Sequence, residues 1–215
     1  MGYFDLVKLV RSNHFLEAAV NDARKMHSVV VSMVDDSFKA LEKNDKKLAE
    51  KVIMDDDAVD GLDTEIRTNV LSYLSTMPVG GNVEFSLVLI DISTYLERIG
   101  DHAVWACRTM KRFGGLKNTK YLKELGDCHA LAIDTLKLTK TALYDGDEKK
   151  AGKAIEKTEK LKKEYNDFTR ALVKEKKLKL QEVIVVWSYA RNLRRIGKYS
   201  KNIAETVTKP YPEAK

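Results

Sequence analysis

Two strips of carboxylates are the part of this sequence best equipped for chemistry. In the run Leu87-Val-Leu-Ile-Asp-Ile-Ser-Thr-Tyr-Leu-Glu-Arg-Ile-Gly-Asp-His-Ala103, Glu97 and Asp101 stand four residues apart. At about 100° per residue they share one strip of a helix, with Ile90 above them and Val104 below. Two acids in an apolar column need partners, because burying an unpaired carboxylate is costly; basic residues and metal ions are the two obvious kinds. A second strip lies upstream in Met54-Asp-Asp-Asp-Ala-Val-Asp-Gly-Leu-Asp-Thr-Glu-Ile66. There Asp56, Asp60 and Asp63 fall within about 60° of one another, along the edge of an apolar face made by Val52, Val59 and Ile66, while Asp57 points away.

If these two helices pack antiparallel, the strips face each other and gather four or five carboxylates with no basic residue among them. Like-charge repulsion then calls for multivalent cations. Ligation by oxygen alone favours hard metals such as iron, manganese, magnesium or calcium. The plainer readings are a solvated acidic turn for Asp55 to Asp63, and an ion pair with Arg98 or Arg108 for Glu97 and Asp101. Arg98 lies about 100° around the helix from Glu97, so Arg108 is the better-placed partner.

The elements that must position these acids are helices. The three prolines, Pro78, Pro210 and Pro212, fall in a loop and a tail, leaving the rest of the chain free to be helical. Breakers divide it into six periodic segments: about 15–41, 45–77, 83–113, 119–144, 147–176 and 180–207. The separators are Glu42-Lys43-Asn44, Pro78-Val79-Gly80-Gly81-Asn82, Phe113-Gly114-Gly115, Tyr144-Asp145-Gly146 and a lysine-rich break near Lys176 to Lys179. Helices of this length joined by short loops pack as antiparallel neighbours in a bundle, and no alternating pattern supports strands. The expected fold class is all-α.

The third and sixth segments read as copies. Tyr95-Leu-Glu-Arg-Ile-Gly-Asp101 lines up with Asn192-Leu-Arg-Arg-Ile-Gly-Lys198, and Asp45-Lys-Lys lines up more weakly with Asp147-Glu-Lys. Two tandem three-helix bundles follow, residues 1–113 and residues 114–215, the second ending in a short tail.

Leu96-Glu-Arg-Ile-Gly-Asp-His-Ala103 resembles the E-x-x-x-D signature of the repeats of the PhoU family, and Asp56-Asp-Ala-Val-Asp60 resembles the D-x-x-x-D element that accompanies it. The resemblance covers essentially the whole chain as a two-repeat layout, with the motif matched closely only in the first half. It implies a pair of three-helix bundles, a multinuclear metal site on each repeat, and negative control of phosphate transport and signalling. The implied partners are a phosphate transporter's ATPase and, in bacteria, a sensor kinase, with a homodimer as a further option. The implied location is the cytoplasm, peripheral to the membrane through the transporter.

The second repeat departs from the family pattern. Arg194 and Lys198 stand where acids are expected, and the aligned positions of the middle helix are Thr158 and Lys162. These groups cannot hold a divalent cation, so a single metal site is expected, built from Asp56, Asp60, Glu97 and Asp101 with Asp63 as a possible extra ligand. Lys162, Arg194 and Lys198 form either an anion or partner site, or simply a basic surface.

Charge is distributed to match. Residues 1–113 hold 14 Lys and Arg against 18 Asp and Glu, and residues 114–215 hold 24 against 14. A basic second half raises anionic partners, but there is no recognition-helix motif or aromatic ladder to favour nucleic acid. Cys107 and Cys128 make no metal-binding spacing and fit a reducing compartment. No secretory leader or membrane-spanning run is expected. The four histidines are scattered, and neither a nucleophile elbow nor a Walker loop is present. The enzyme alternative is a carboxylate-bridged di-metal oxidase of ferritin-like type. It lacks the required E-x-x-H pairs, because Glu97 and His102 lie about 140° apart on their helix. The expectation is a regulator that binds partners and catalyses nothing.

Overall fold

The computed structural model describes residues 13–76, 83–116, 119–176 and 178–208, and among them there are seven α-helices and no strand. In chain order these are α1 (His14–Lys43), α2 (Lys46–Met54), α3 (Asp56–Thr76), α4 (Val83–Phe113), α5 (Thr119–Asp145), α6 (Glu148–Val173) and α7 (Leu180–Thr208). The expected loop from Pro78 to Asn82 and the tail carrying Pro210 and Pro212 lie outside the described residues.

Five of the six predicted segments are single helices, each within a few residues of its expected bounds. The second is broken in two at Asp55. The Ala58 amide donates to the Asp55 carbonyl over three residues instead of four, at 3.2 Å, so the helix restarts there. Three consecutive aspartates, Asp55 to Asp57, supply the reason: short acidic side chains are poor in helix interiors and good at helix starts. Asp56 and Asp57 consequently occupy the first turn of α3, where the amide dipoles favour negative charge.

Two of the turns are alike. Asn44, at φ 50°, closes α1, and Asp45 caps α2 while its amide donates to the Ala40 carbonyl. Gly146, at φ 66°, follows α5, and Asp147 caps α6 while its amide donates to the Ala142 carbonyl. A left-handed residue followed by an Asp cap is the same device used twice, and Asn and Gly are the residues that tolerate it.

Helix α1 packs on α2, α3 and α4, while α5, α6 and α7 pack on one another. The two groups join along α4 and α7. These helices run antiparallel over most of their length, with Tyr95 stacked on Tyr199, His102 Nδ1 3.1 Å from Asn192 Oδ1, and Thr109 Oγ1 3.3 Å from Ser188 Oγ. A second contact joins α1 to α5, where His27 Nε2 lies 3.1 Å from the Leu136 carbonyl oxygen and Phe38 stacks on His129 at 4.6 Å. One apolar core runs through both groups, from Leu16, Met26, Met33, Leu96 and Ile99 to Leu125, Leu136, Leu161 and Ile203. Each such side chain stabilises the fold by about 1.5–3 kcal/mol on burial, which leaves the outer faces free to carry charge.

Candidate functional site

The site is set by how closely α3 approaches α4. Gly100 has no side chain, and a Cβ there would meet Met33 and Val59 at 3.7 Å and Asp56 Oδ1 at 3.9 Å. The absence of that atom lets α3 lay Val59 into the core and bring Asp56 against the strip of Glu97 and Asp101. Asp56, Asp63, Glu97 and Asp101 are half-buried at this edge and Asp60 is exposed. Val104 is buried below them as the helical spacing requires, and Ile90 is half-buried.

The electrostatics show that the two strips feel one another. Partial burial holds the Asp56 carboxyl above the usual aspartate range, and the charges of Asp60 and Asp101 add to it, with Arg108 opposing. Burial also raises the Glu97 carboxyl; Arg98 opposes this, while Asp101, Asp63 and Asp60 push it further up. Asp56 and Glu97 are thus coupled by charge to Asp60, Asp63 and Asp101, the other acids singled out by spacing.

Two expectations need correction. The strips are not free of basic residues: Arg98 Nη1 lies 3.1 Å from Asp101 Oδ2 and its Nε 3.9 Å from Glu97 Oε2, and Arg67 Nε lies 2.7 Å from Asp63 Oδ2. Nor is Arg108 the partner of Glu97 and Asp101. A long guanidinium reaches sideways along the helix surface to an acid three residues on, so the angular offset of Arg98 did not exclude it. Asp63 is clasped from two sides, because the Ser93 hydroxyl on α4 also donates to it and Arg67 continues to Thr94 Oγ1 at 2.9 Å. The Arg67 contact was legible as a four-residue spacing on one helix; the Ser93 contact, between two helices, was not.

These pairings decide which residues suit a metal ion. Among the described residues no three Asp, Glu, His or Cys side chains converge on a single coordination point. Asp56 and Asp60 have no ion-pair partner among the described residues, and Glu97 and Asp101 share one exposed arginine that can swing away. The donor set is all oxygen, with Asp56, Glu97 and Asp101 half-buried and Asp60 exposed, and by its chemistry would suit a hard multivalent cation. Asp63, held by Arg67 and Ser93, does not fit as a ready ligand.

The second group of helices repeats the packing and changes the chemistry. Gly197 stands where Gly100 does: a Cβ there would meet Leu161 Cδ2 at 2.7 Å and Thr158 Cγ2 at 3.6 Å, in place of Val59 and Asp56. The Thr158 hydroxyl donates to the Ala154 carbonyl and approaches the Gly197 carbonyl at 3.3 Å. The counterpart of Asp63 is Tyr165, whose ring lies 5.5 Å from the Arg194 guanidinium. Lys162 and Lys198 are exposed. Neither the close approach at the two glycines nor the role of Tyr165 was read from the sequence, although the aligned Ile-Gly pairs held the signal for the first.

No helix among the described residues is long and apolar enough to cross a membrane. The four histidines stand apart from the acid strips: His27 and His129 sit between α1 and α5, His102 between α4 and α7, and His14 at the start of α1.

Comparison with known proteins agrees with the fold. The PhoU domain model matches the chain twice, over residues 23–110 and 125–207. A phosphate-specific transport system accessory protein PhoU homolog from Clostridium acetobutylicum is 26% identical over 198 residues, covering 89% of this chain and 90% of the relative. The phosphate-specific transport system accessory protein PhoU of Escherichia coli is 25% identical over 199 residues, covering 91% and 83%. The crystal structure of PhoU from Pseudomonas aeruginosa shares the fold with a TM-score of 0.83 at 24% identity, over 90% of this chain and 95% of that one. With two matches that together span most of its length, each containing one of the two Ile-Gly close approaches, this chain belongs to the PhoU domain family.

Proposed function

We propose that this protein is a non-enzymatic regulator of phosphate uptake, acting by binding components of a phosphate transport system from the cytoplasmic side. The observation that carries the reading is the double match to the PhoU domain on a chain whose relatives are named as phosphate-specific transport accessory proteins. The transporter's ATPase or an associated signalling protein is the partner, and self-association is compatible with the exposed faces. The first repeat holds a hard multivalent cation, with iron the first choice, through Asp56, Asp60, Glu97 and Asp101. A bound ion would offset the negative charge of the strip; Asp56 and Asp60 on α3 and Glu97 and Asp101 on α4 would hold it, Gly100 sets how closely the two helices approach, and Arg98 would give up its contacts with Asp101 and Glu97. Metal occupancy would thereby alter the outer face offered to a partner.

The test is a strain lacking the gene. Phosphate accumulation and transporter expression should be deregulated, most visibly in phosphate-rich medium. Unchanged accumulation and expression under both rich and starved conditions would remove the basis for this function.

A further inference from the structure

We propose that the second repeat carries a binding site for a phosphate group, formed by Arg194, Lys162 and Lys198 around Tyr165. The site occupies the position equivalent to the acid strip of the first repeat. Thr158 and Leu161 face Gly197 as Asp56 and Val59 face Gly100, which aligns Lys162 with Asp60 and Tyr165 with Asp63. The Ile-Gly pairs align Arg194 with Glu97 and Lys198 with Asp101. In the first repeat Asp101, Asp63 and Asp60 all act on the Glu97 carboxyl. The same backbone arrangement puts Lys198 and Lys162 at the positions of Asp101 and Asp60 beside Arg194, and the Tyr165 contact at 5.5 Å fits the alignment. The Lys162 ammonium is turned to Glu159 at 3.6 Å and that of Lys198 lies over the Tyr199 ring at 5.9 Å.

Three acids have become three bases, while the glycine and the apolar residue that set the helix spacing are retained. Packing therefore does not account for the reversal of charge. A solvated basic face ordinarily interleaves its cations with acids, as the rest of α6 does. Here Arg194 and Lys198 have no carboxylate partner among the described residues. Glu159, on the same helix as Lys162, is divided between Lys201 at 2.7 Å and Lys162 at 3.6 Å. Arg194 is half-buried against Tyr165, and its Nε has no hydrogen-bond partner among the described residues. A planar guanidinium against an aromatic face, with two exposed lysines at neighbouring positions that can turn towards it, suits a tetrahedral phosphoryl oxyanion, which takes a forked contact from arginine and point charges from lysine. A carboxylate ligand would use the fork but leave the lysines redundant.

Only the choice of phosphate over other oxyanions rests on the phosphate-uptake reading; the site itself rests on the geometry. Its test is binding of inorganic phosphate to the full chain, measured by calorimetry in a fixed chloride background. The arginine Nε–H NMR resonances report in parallel on Arg194. Saturable binding is expected, with a shift of one arginine resonance. The exposed pair Lys162→Gln with Lys198→Gln should weaken it roughly tenfold or more, and so should Arg194→Gln, checked for retained helicity. A charge-matched control on the outer face of α6, Lys149→Gln with Lys153→Gln, should not. Vesicles of phosphatidylglycerol in phosphatidylcholine form a second arm. Binding there with the same dependence on the site variants, without binding of free phosphate, would support the site and identify a lipid phosphodiester as the source of the group. No binding in either arm, or weakening by the control equal to that of the site variants, would overturn the proposal and leave a solvated basic face. A wild-type phenotype in the deletion strain would count against the uptake reading without touching this result.

Discussion

Asp56 on α3 stands directly against Gly100 on α4, its Oδ1 3.9 Å from the point a Cβ on that glycine would occupy. The contact brings a first-turn aspartate of one helix onto the Glu97 and Asp101 strip of the next. Its counterpart across the repeat, Gly197 against Thr158 and Leu161, is tighter and carries no acid. The two glycines therefore respond differently to the same substitution.

Gly100→Ala places its methyl in ordinary van der Waals contact, and alanine is better in a helix interior than glycine by about 0.5–1 kcal/mol. It should leave stability unchanged or slightly raised. Gly197→Ala forces Leu161, a buried core residue, to move away from a 2.7 Å approach. A cost of roughly 1–3 kcal/mol for overpacking then outweighs the helix gain. Urea unfolding of the two variants measures the difference, and equal stabilities would show that Leu161 has room to turn.

The metal reading predicts asymmetry. Glu97→Ala with Asp101→Ala should abolish iron or manganese uptake by the full chain, whereas Arg194→Gln with Lys198→Gln should leave it intact. Asp63→Asn should have only a small effect, because Arg67 and Ser93 already hold that carboxylate. Elemental analysis after metal loading is the measurement. Retained metal in the double alanine variant would place the site elsewhere.

Repulsion within the acid strip makes a prediction about pH. The Asp56 carboxyl is raised in the folded chain by burial and by Asp60 and Asp101. The stability it contributes is therefore fully present below its ordinary value of 3.8 and lost as pH rises through the higher folded value. Without metal, Asp56→Asn should be more stable than the parent at neutral pH by a few tenths of a kcal/mol, a modest amount because solvent screens a half-exposed site. The advantage should vanish below pH 3.8. A less stable Asp56→Asn variant at neutral pH would mean that the carboxylate makes a favourable contact outweighing its neighbours.

His27 acts in the opposite sense. Complete burial pushes its imidazole down from 6.5 to about 4, the Leu136 carbonyl pulls it back slightly, and Lys140 adds to the depression. Nε2 is bonded to that carbonyl, so the incoming proton must go to Nδ1, which is buried without a partner. Stability should be fully present above pH 6.5 and should fall as pH drops from there towards about 4. The loss is about 3 kcal/mol at most. His102 and His129 are also depressed by burial and add to the slope, while Asp56 and Glu97 oppose it at its lower end. Denaturation midpoints across this range should flatten in His27→Gln; an unchanged slope would assign the effect to the other two histidines.

Much of this molecule is local in origin, and was therefore legible in the chain. Helix extents follow from periodicity and breakers, and the repeated turns follow from Asn44-Asp45 and Gly146-Asp147, whose conformations depend on near neighbours. The five acids also announce themselves by spacing. The break at Asp55 was hidden because periodicity persists across it, although three successive aspartates were a hint.

The remaining features depend on which helices touch. That Arg98 takes Asp101 depends on a flexible guanidinium choosing among neighbours, and that Ser93 takes Asp63 depends on the α3–α4 register. The stacking of Tyr95 on Tyr199 and the pairing of His102 with Asn192 exist only because the two repeats pack through α4 and α7. Sequence alone determined the helices, their doubling and the opposite charges of the two strips, since these reside in residue type and spacing. Tertiary structure decided which carboxylates are already held by basic side chains and how close the strips come, since both are set by the separation of helices that a missing Cβ at Gly100 or Gly197 allows.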